Sequence, residues 1–192
     1  MKSRTTVAIV GGGFSGTILA AQLARRGIDS VLIDGSGRAG KGVAYSTTEP
    51  AHLLNVRAEG MSAWSGEPTH FADRFQAAGG DSRGFAQRRL FGRYLGEILD
   101  DAVASGHTQP LHASATAAQR NGDWQIALDD GSQVGADALV LAIGNQEPES
   151  LGPFAGAGKR YIANPWAADA RAAVAQLAET SGARSILSGS PM

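Results

Sequence analysis

The stretch Thr5-Thr6-Val7-Ala8-Ile9-Val10-Gly11-Gly12-Gly13-Phe14-Ser15-Gly16 decides the fold. Thr5 to Val10 is β-branched and ends in an unbroken apolar run, as a strand buried on both faces of a parallel sheet requires. The glycines interrupt that run. Ile18, Leu19, Gln22, Leu23 and Arg26 then continue at helical spacing up to Gly27, which stands where a left-handed helix stop is wanted. Ser30 to Ile33 reads as a second buried strand, and Asp34 closes it. The order is strand, glycine turn, helix, strand, acid.

Gly11, Gly13 and Gly16 have the spacing G-x-G-x-x-G. In such a unit the first glycine makes the tight turn, the second lets a pyrophosphate approach the backbone, and the third lets the helix pack on the strand. The helix start offers free N–H groups and partial positive charge to the phosphates. Asp34 lies 23 residues beyond Gly11, near the spacing at which a carboxylate reaches an adenosine ribose. A carboxylate there repels a 2′-phosphate, so FAD or NAD is expected. The competing use of a similar loop and acid is S-adenosylmethionine binding by a methyltransferase.

Further along, His112 to Gln119 and Asp123 to Leu128 read as neighbouring strands, and Asp129-Asp130-Gly131 as a turn. Ala136 to Asn145 is an acid, a buried strand and a glycine, Gly144, at the strand's carboxyl end. Open α/β sheets place their ligand at such an end. The alternative is a plain core strand stopped by a turn glycine. Leu90, Phe91, Tyr94, Leu95, Ile98, Leu99 and Ala102 form an apolar helical stripe that reads as packing. Arg88, Arg89 and Arg93 flank it, either solvating the helix or holding an anion. Arg38 and Lys41 are solvated charges or cofactor contacts, Tyr45 could be a packed aromatic, and His52 reads as a turn or core histidine rather than a proton shuttle. Between Glu49 and Gly84, where periodic signals are few, Trp64, Phe71 and Phe75 are apolar enough to cap a cleft or fill a small helical insert.

The segments GVAYS (42–46), HLLNV (52–56) and RRLFGRYL (88–95), followed by AIGN (142–145) and YIANPW (161–166), resemble the bacterial FAD-NAD(P)-binding proteins of the "NAD-binding 9" type. The Ala136–Asn145 segment also resembles the second fingerprint of two-dinucleotide-domain flavoproteins, with Ile143 where threonine is usual. The resemblance implies an α/β, Rossmann-like three-layer fold with a small β element at about His112 to Leu128. It also implies an FAD-dependent oxidoreductase similar to flavin monooxygenases, with NAD(P)H as co-substrate and a small-molecule substrate, hydroxylation of a small heterocycle such as urate being one form. It places the cofactor on Gly11, Gly12, Gly13, Phe14, Ser15, Gly16 and Asp34. Arg38, Lys41, Gly42, Tyr45, Ser46 and Asn55 would lie towards the flavin, with Gly144 close by. No catalytic residue can be named.

The composition excludes several other classes. With 192 residues, Lys+Arg 17 against Asp+Glu 18 gives a net charge of −1 and no basic stripe, so nucleic acid is not expected as a partner. Cys is 0, which removes disulfides, thiolate zinc sites, iron–sulfur clusters and redox dithiols from this sequence. The residues four beyond Tyr45, Tyr94 and Tyr161 are Glu49, Ile98 and Pro165, so no Tyr-x-x-x-Lys pair exists. No G-x-S-x-G elbow occurs, and His52, His70, His107 and His112 lack ligand spacing, so no metal is expected. Lys2 and Arg4 before an apolar stretch raise a signal peptide, but the glycines break that stretch early. No apolar run is long enough for a membrane helix, and a cytoplasmic location without membrane contact is expected.

Residues 1–167 are expected to form the FAD-binding domain. Residues 168–192 would supply a helix (Ala168–Thr180) and the start of a second nucleotide-binding unit, with a strand at Ala183–Leu187 and Gly189 as one glycine of its turn. The resemblance thus implies a C-terminally incomplete, truncated fold that binds FAD weakly or needs a missing second half or another copy of itself. A non-catalytic dinucleotide-binding module is the alternative function.

Overall fold

A computed structural model describes residues 5–145, 152, 158, 161–164 and 169–178. The readings at Lys2, Arg4, Pro165, Trp166, Ala183–Leu187 and Gly189 lie outside these residues. The chain divides into two compact units, Met1–Gly144 and Asn145–Met192.

In the first unit, β1 (Thr6–Val10), α1 (Phe14–Ala24) and β2 (Asp29–Ile33) form the expected βαβ unit. α1 stops as predicted: Gly27 has φ +68°, its N–H donates to the Ala24 carbonyl, and the Ile28 N–H donates to Leu23. The chain then runs through a short helical turn α2 (Gly42–Tyr45), a 3-10 turn (Ala58–Gly60), α3 (His70–Ala77) and the long α4 (Arg88–Ala104). It returns to the sheet at β3 (Thr108–Leu111), makes the meander β4 (Ala115–Asn121), β5 (Asp123–Leu128) and β6 (Gln133–Ala136), and re-enters as β7 (Ala138–Leu141).

The four-stranded sheet has the order β3-β2-β1-β7, and every pair in it is parallel. Strands buried on both faces explain the unbroken apolar runs. Ile9, Leu32 and Val140 turn towards α1 and α4, where they meet Ala20, Leu23, Leu99 and Val103. Ala8, Val10, Ile33 and Leu139 turn the other way, onto Ile126, Leu128 and Ala136 of the antiparallel meander. Three layers result: helices, parallel sheet, small antiparallel sheet.

Two sequence boundaries move. The strand expected over His112–Gln119 starts later, as β4 at Ala115, and a separate strand, β3, ends at Leu111 just before the expected start. Between them the chain leaves one sheet for the other, and the Ser114 N–H donates to Asp129 Oδ1 (2.9 Å). β3 was not foreseen because Pro110 lies inside it; as the edge strand of its sheet it tolerates a residue without an N–H. The acid-strand-glycine segment likewise splits at Asp137, which bonds across to β1: its N–H donates to the Thr6 carbonyl, and Oδ2 accepts the Thr6 N–H at 2.7 Å.

The stripe on α4 is core as expected, with Phe91, Tyr94, Leu95, Ile98, Leu99 and Ala102 buried and Leu90 only half-buried. Trp64 and Phe71 are buried against Phe91 and Tyr94, with Phe75 beside them, so the poorly patterned 49–84 segment is a helical insert with its own core. In the second unit α5 (Ala170–Ala178) lies within the helix expected over 168–180.

Two glycines of α4 differ sharply in what a side chain would meet. A Cβ on Gly92 would stand 2.3 Å from the Tyr45 carbonyl oxygen of α2, whereas one on Gly96 meets nothing within 4 Å. Gly92→Ala is therefore expected to cost about 1–3 kcal/mol through overpacking. Gly96→Ala should stabilise by up to about 1 kcal/mol through helix propensity. Urea unfolding of the two variants checks both signs.

Candidate functional site

The glycine turn lies where β1 gives way to α1, at the point where the sheet order reverses from β2 on one side to β7 on the other. Open α/β sheets carry their ligand crevice at such a switch point. Gly11 has φ +106°, its N–H donates to the Ile33 carbonyl, and a Cβ there would stand 2.3 Å from the Ala142 carbonyl oxygen. A Cβ on Gly16 would stand 1.9 Å from the Gly11 carbonyl oxygen. Both glycines are thus demanded by packing. Gly13 is different: a Cβ there meets only the Gly42 Cα, at 3.8 Å, so its outer face is open.

Gly13 is also the N-cap of α1, and no side chain caps the helix. The N–H groups of Gly13, Phe14, Ser15 and Gly16 find no acceptor among the described residues, and the first turn carries no acid. Instead the turn is braced from behind: buried Thr17 donates Oγ1–H to the Gly12 carbonyl at 3.1 Å. Four convergent donors at a positive helix end fit a pyrophosphate, and the glycine face a Cβ would fill admits it.

Asp34 ends β2 beside this turn, as its spacing predicts. Its Oδ2 accepts the Gly12 N–H at 2.6 Å, and Oδ1 accepts both the N–H and Oγ–H of Ser36, at 2.9 and 2.5 Å. The 38–42 loop folds over the turn. The Gly40 N–H donates to the Gly12 carbonyl at 2.8 Å, and Gly42, at φ +57°, has room for no side chain against the Gly13 Cα. Arg38 and Lys41 are exposed on this loop, whose Gly40 and Gly42 pack on the turn.

The remaining sequence candidates are less close-knit. Tyr45 is a packed aromatic, edge-on to Phe91 at 4.9 Å, with Phe14 tilted at 6.3 Å. Burial raises its hydroxyl above the ordinary tyrosine range, against a smaller opposing effect of Arg88. Ser46 Oγ donates to the Val43 carbonyl at 3.4 Å. Ser15 is exposed in the first turn of α1. Asn55 is exposed, and none of the contacts among the described residues joins it to the glycine turn. Gly144 has φ +68° and lies two residues beyond Ala142, with open space around it. Sequence reasoning did not single out Ser36 or Thr17. A serine two residues after a strand-ending Asp is a recurrent local hydrogen-bond pattern that could have marked the first. Thr17 carries no comparable signal.

A second concavity, of about 160 Å³, lies at the far end of α1 and is lined by Arg25, Trp64, His70, Arg74, Asp101 and Ser105. Arg25 stacks over Trp64 at 3.4 Å and pairs with Glu67 at 2.8 Å. His70 Nδ1 is 2.8 Å from the Tyr94 hydroxyl, which accepts the Ala63 N–H at 3.1 Å. Among the described residues no group of three potential ligands gathers to hold a metal, and no helix is long and apolar enough to cross a membrane.

Against known proteins, a family described as FAD-NAD(P)-binding matches residues 8–146. The tRNA 5-methylaminomethyl-2-thiouridine biosynthesis bifunctional protein MnmC of Chromohalobacter salexigens is 29% identical over a 208-residue alignment that covers 78% of this chain and 30% of that protein. OTEMO, in a crystal structure with FAD and NADP, superposes with a TM-score of 0.56 at 19% identity over 78% of this chain and 28% of its own. HlmI gives 0.50 at 15% identity over 79% and 38%. These two likenesses show the fold. The chain spans well under half the length of each of these proteins.

Two outcomes follow from this geometry. Gly13→Ala fits without strain but puts a methyl on the open face of the turn. It should lower stability by no more than the roughly 1 kcal/mol that alanine costs at an N-cap, and weaken ADP or FAD binding at least about tenfold, read by calorimetric titration of the folded variant. Burial, then Arg74, holds His70 below its ordinary value near 6.5. The unfolded chain therefore takes up that proton first, so stability present above pH 6.5 is lost as pH falls through the lower folded value. Denaturant midpoints should drop as pH falls below the ordinary histidine value of 6.5 and through the lower folded one, and His70→Gln should flatten the slope.

Proposed function

The chain belongs to the FAD-NAD(P)-binding family, and from that premise we propose that it is the FAD-binding portion of an NAD(P)H-using oxidoreductase. The observation that carries this is the uncapped start of α1, where four N–H groups have no acceptor among the described residues, Gly13 has an open side, and the loop bearing exposed Arg38 and Lys41 packs on the turn. The pyrophosphate would take the N–H groups of Gly13 to Gly16, and Asp34 the adenosine ribose. Arg38 and Lys41 would offset phosphate charge. FAD, when bound, supplies the electron transfer between nicotinamide and acceptor. The chain's own part is to bind and orient the adenosine diphosphate half and to keep a 2′-phosphate away from Asp34.

A flavin monooxygenase-like reaction is one form of this reading; the 192 residues hold no cysteine, so a disulfide-reducing form would have to draw its dithiol from outside them. The lack of an evident acid–base pair in the site does not count against an enzyme, because in a flavoenzyme the hard chemistry belongs to the cofactor.

The purified chain is titrated with FAD, and its visible absorbance is followed before and after anaerobic NADPH or NADH. Weak binding is expected, seen as a bound-flavin spectrum with FAD in excess. Bleaching by nicotinamide supports redox competence of this portion, while bound flavin that does not bleach supports the non-catalytic module instead. No flavin binding by the folded chain overturns the proposal.

A further inference from the structure

We propose that Ser36 is a positioning residue that restricts Asp34 to a single hydroxyl of the adenosine ribose, a reading that rests on the dinucleotide site proposed above. A carboxylate offers about four lone-pair sites for hydrogen bonds. Three of those on Asp34 are already taken within the protein. Oδ1 accepts the Ser36 N–H at 2.9 Å and the Ser36 Oγ–H at 2.5 Å, a short charge-assisted bond. Oδ2 accepts the Gly12 N–H at 2.6 Å. One site remains, on Oδ2, the oxygen held against the glycine turn.

The Ser36 hydroxyl is itself held. Its oxygen accepts the Arg38 N–H at 3.2 Å, which leaves its own hydrogen directed at Asp34. Ser36 is exposed and lies on the Gly35–Gly37 turn outside the buried clusters, so its hydroxyl acts on the carboxylate and not on the core. An unrestrained carboxylate could accept the two vicinal ribose hydroxyls on separate oxygens. With Oδ1 filled by Ser36, Asp34 accepts only one of them.

The test uses calorimetric titration of the whole chain with ADP, 2′-deoxyADP and 3′-deoxyADP. In the wild type, one deoxy analogue should bind about as ADP does and the other about tenfold or more weaker, the worth of one hydrogen bond to a charged group. In Ser36→Ala the freed Oδ1 takes the second hydroxyl, so both analogues should fall below ADP. Ser36→Thr, which keeps the hydroxyl, should restore the one-hydroxyl pattern, and both variants should remain folded at the titration temperature by circular dichroism. Three outcomes would overturn the proposal while ADP still binds: both analogues weakened in the wild type, neither weakened, or Ser36→Ala changing all three affinities by one common factor. Failure of the folded wild type to bind ADP at all overturns the dinucleotide site itself, and this role for Ser36 with it.

Discussion

The closest constraint in the molecule is the meeting of three backbone segments at the glycine turn. The Gly11 carbonyl lies where a Cβ of Gly16 would stand, and the Ala142 carbonyl lies where a Cβ of Gly11 would stand. Bare backbone at both positions lets α1 start directly against the end of β1 and lets β7 close on the other side. The reversal of strand order is formed at that point, and with it the crevice. A side chain at either glycine would push the helix start off the sheet and move the donors that the crevice presents.

The helix start gives up local stability for that geometry. A side-chain cap at the N-cap position is worth about 1 kcal/mol, and here the position is Gly13, which has none. The N–H groups of Gly13 to Gly16 remain without an acceptor among the described residues, which leaves them to an anion. Thr17 and Asp34 hold the turn through Gly12, one from each side, which keeps the backbone in place without covering the donors.

Support from behind comes from the insert between β2 and β3. Gly92 allows α4 to cross α2 at the Tyr45 carbonyl, and Phe91 meets both Phe14 of α1 and Tyr45 of α2. Phe91 is fully buried, the kind of side chain whose removal costs about 3–5 kcal/mol. The loop carrying Arg38 and Lys41 is thus tied to the same core that positions the helix start. Cations and donors form one assembly because α1, α2 and α4 share an aromatic cluster.

Much of this was legible from local chain chemistry. Glycine spacing, β-branched apolar runs, the acid after β2, the helix stop at Gly27 and the stripe of α4 all follow from backbone sterics and periodicity, which act within a few residues. Those features determined the βαβ unit, its dinucleotide character and the burial of α4. The edge strand with Pro110 and the break at His112 to Ser114 were not legible, and the choice between a cleft cap and an insert core for Trp64 and Phe71 stayed open, since each depends on which sheet or helix the segment meets. Tertiary structure alone decided that Ala142 touches Gly11, that Gly42 packs against Gly13, and that Ser36 and Gly12 fill most of Asp34. Those are contacts between segments far apart in sequence or choices among competing hydrogen-bond partners, and residue type and spacing do not encode them.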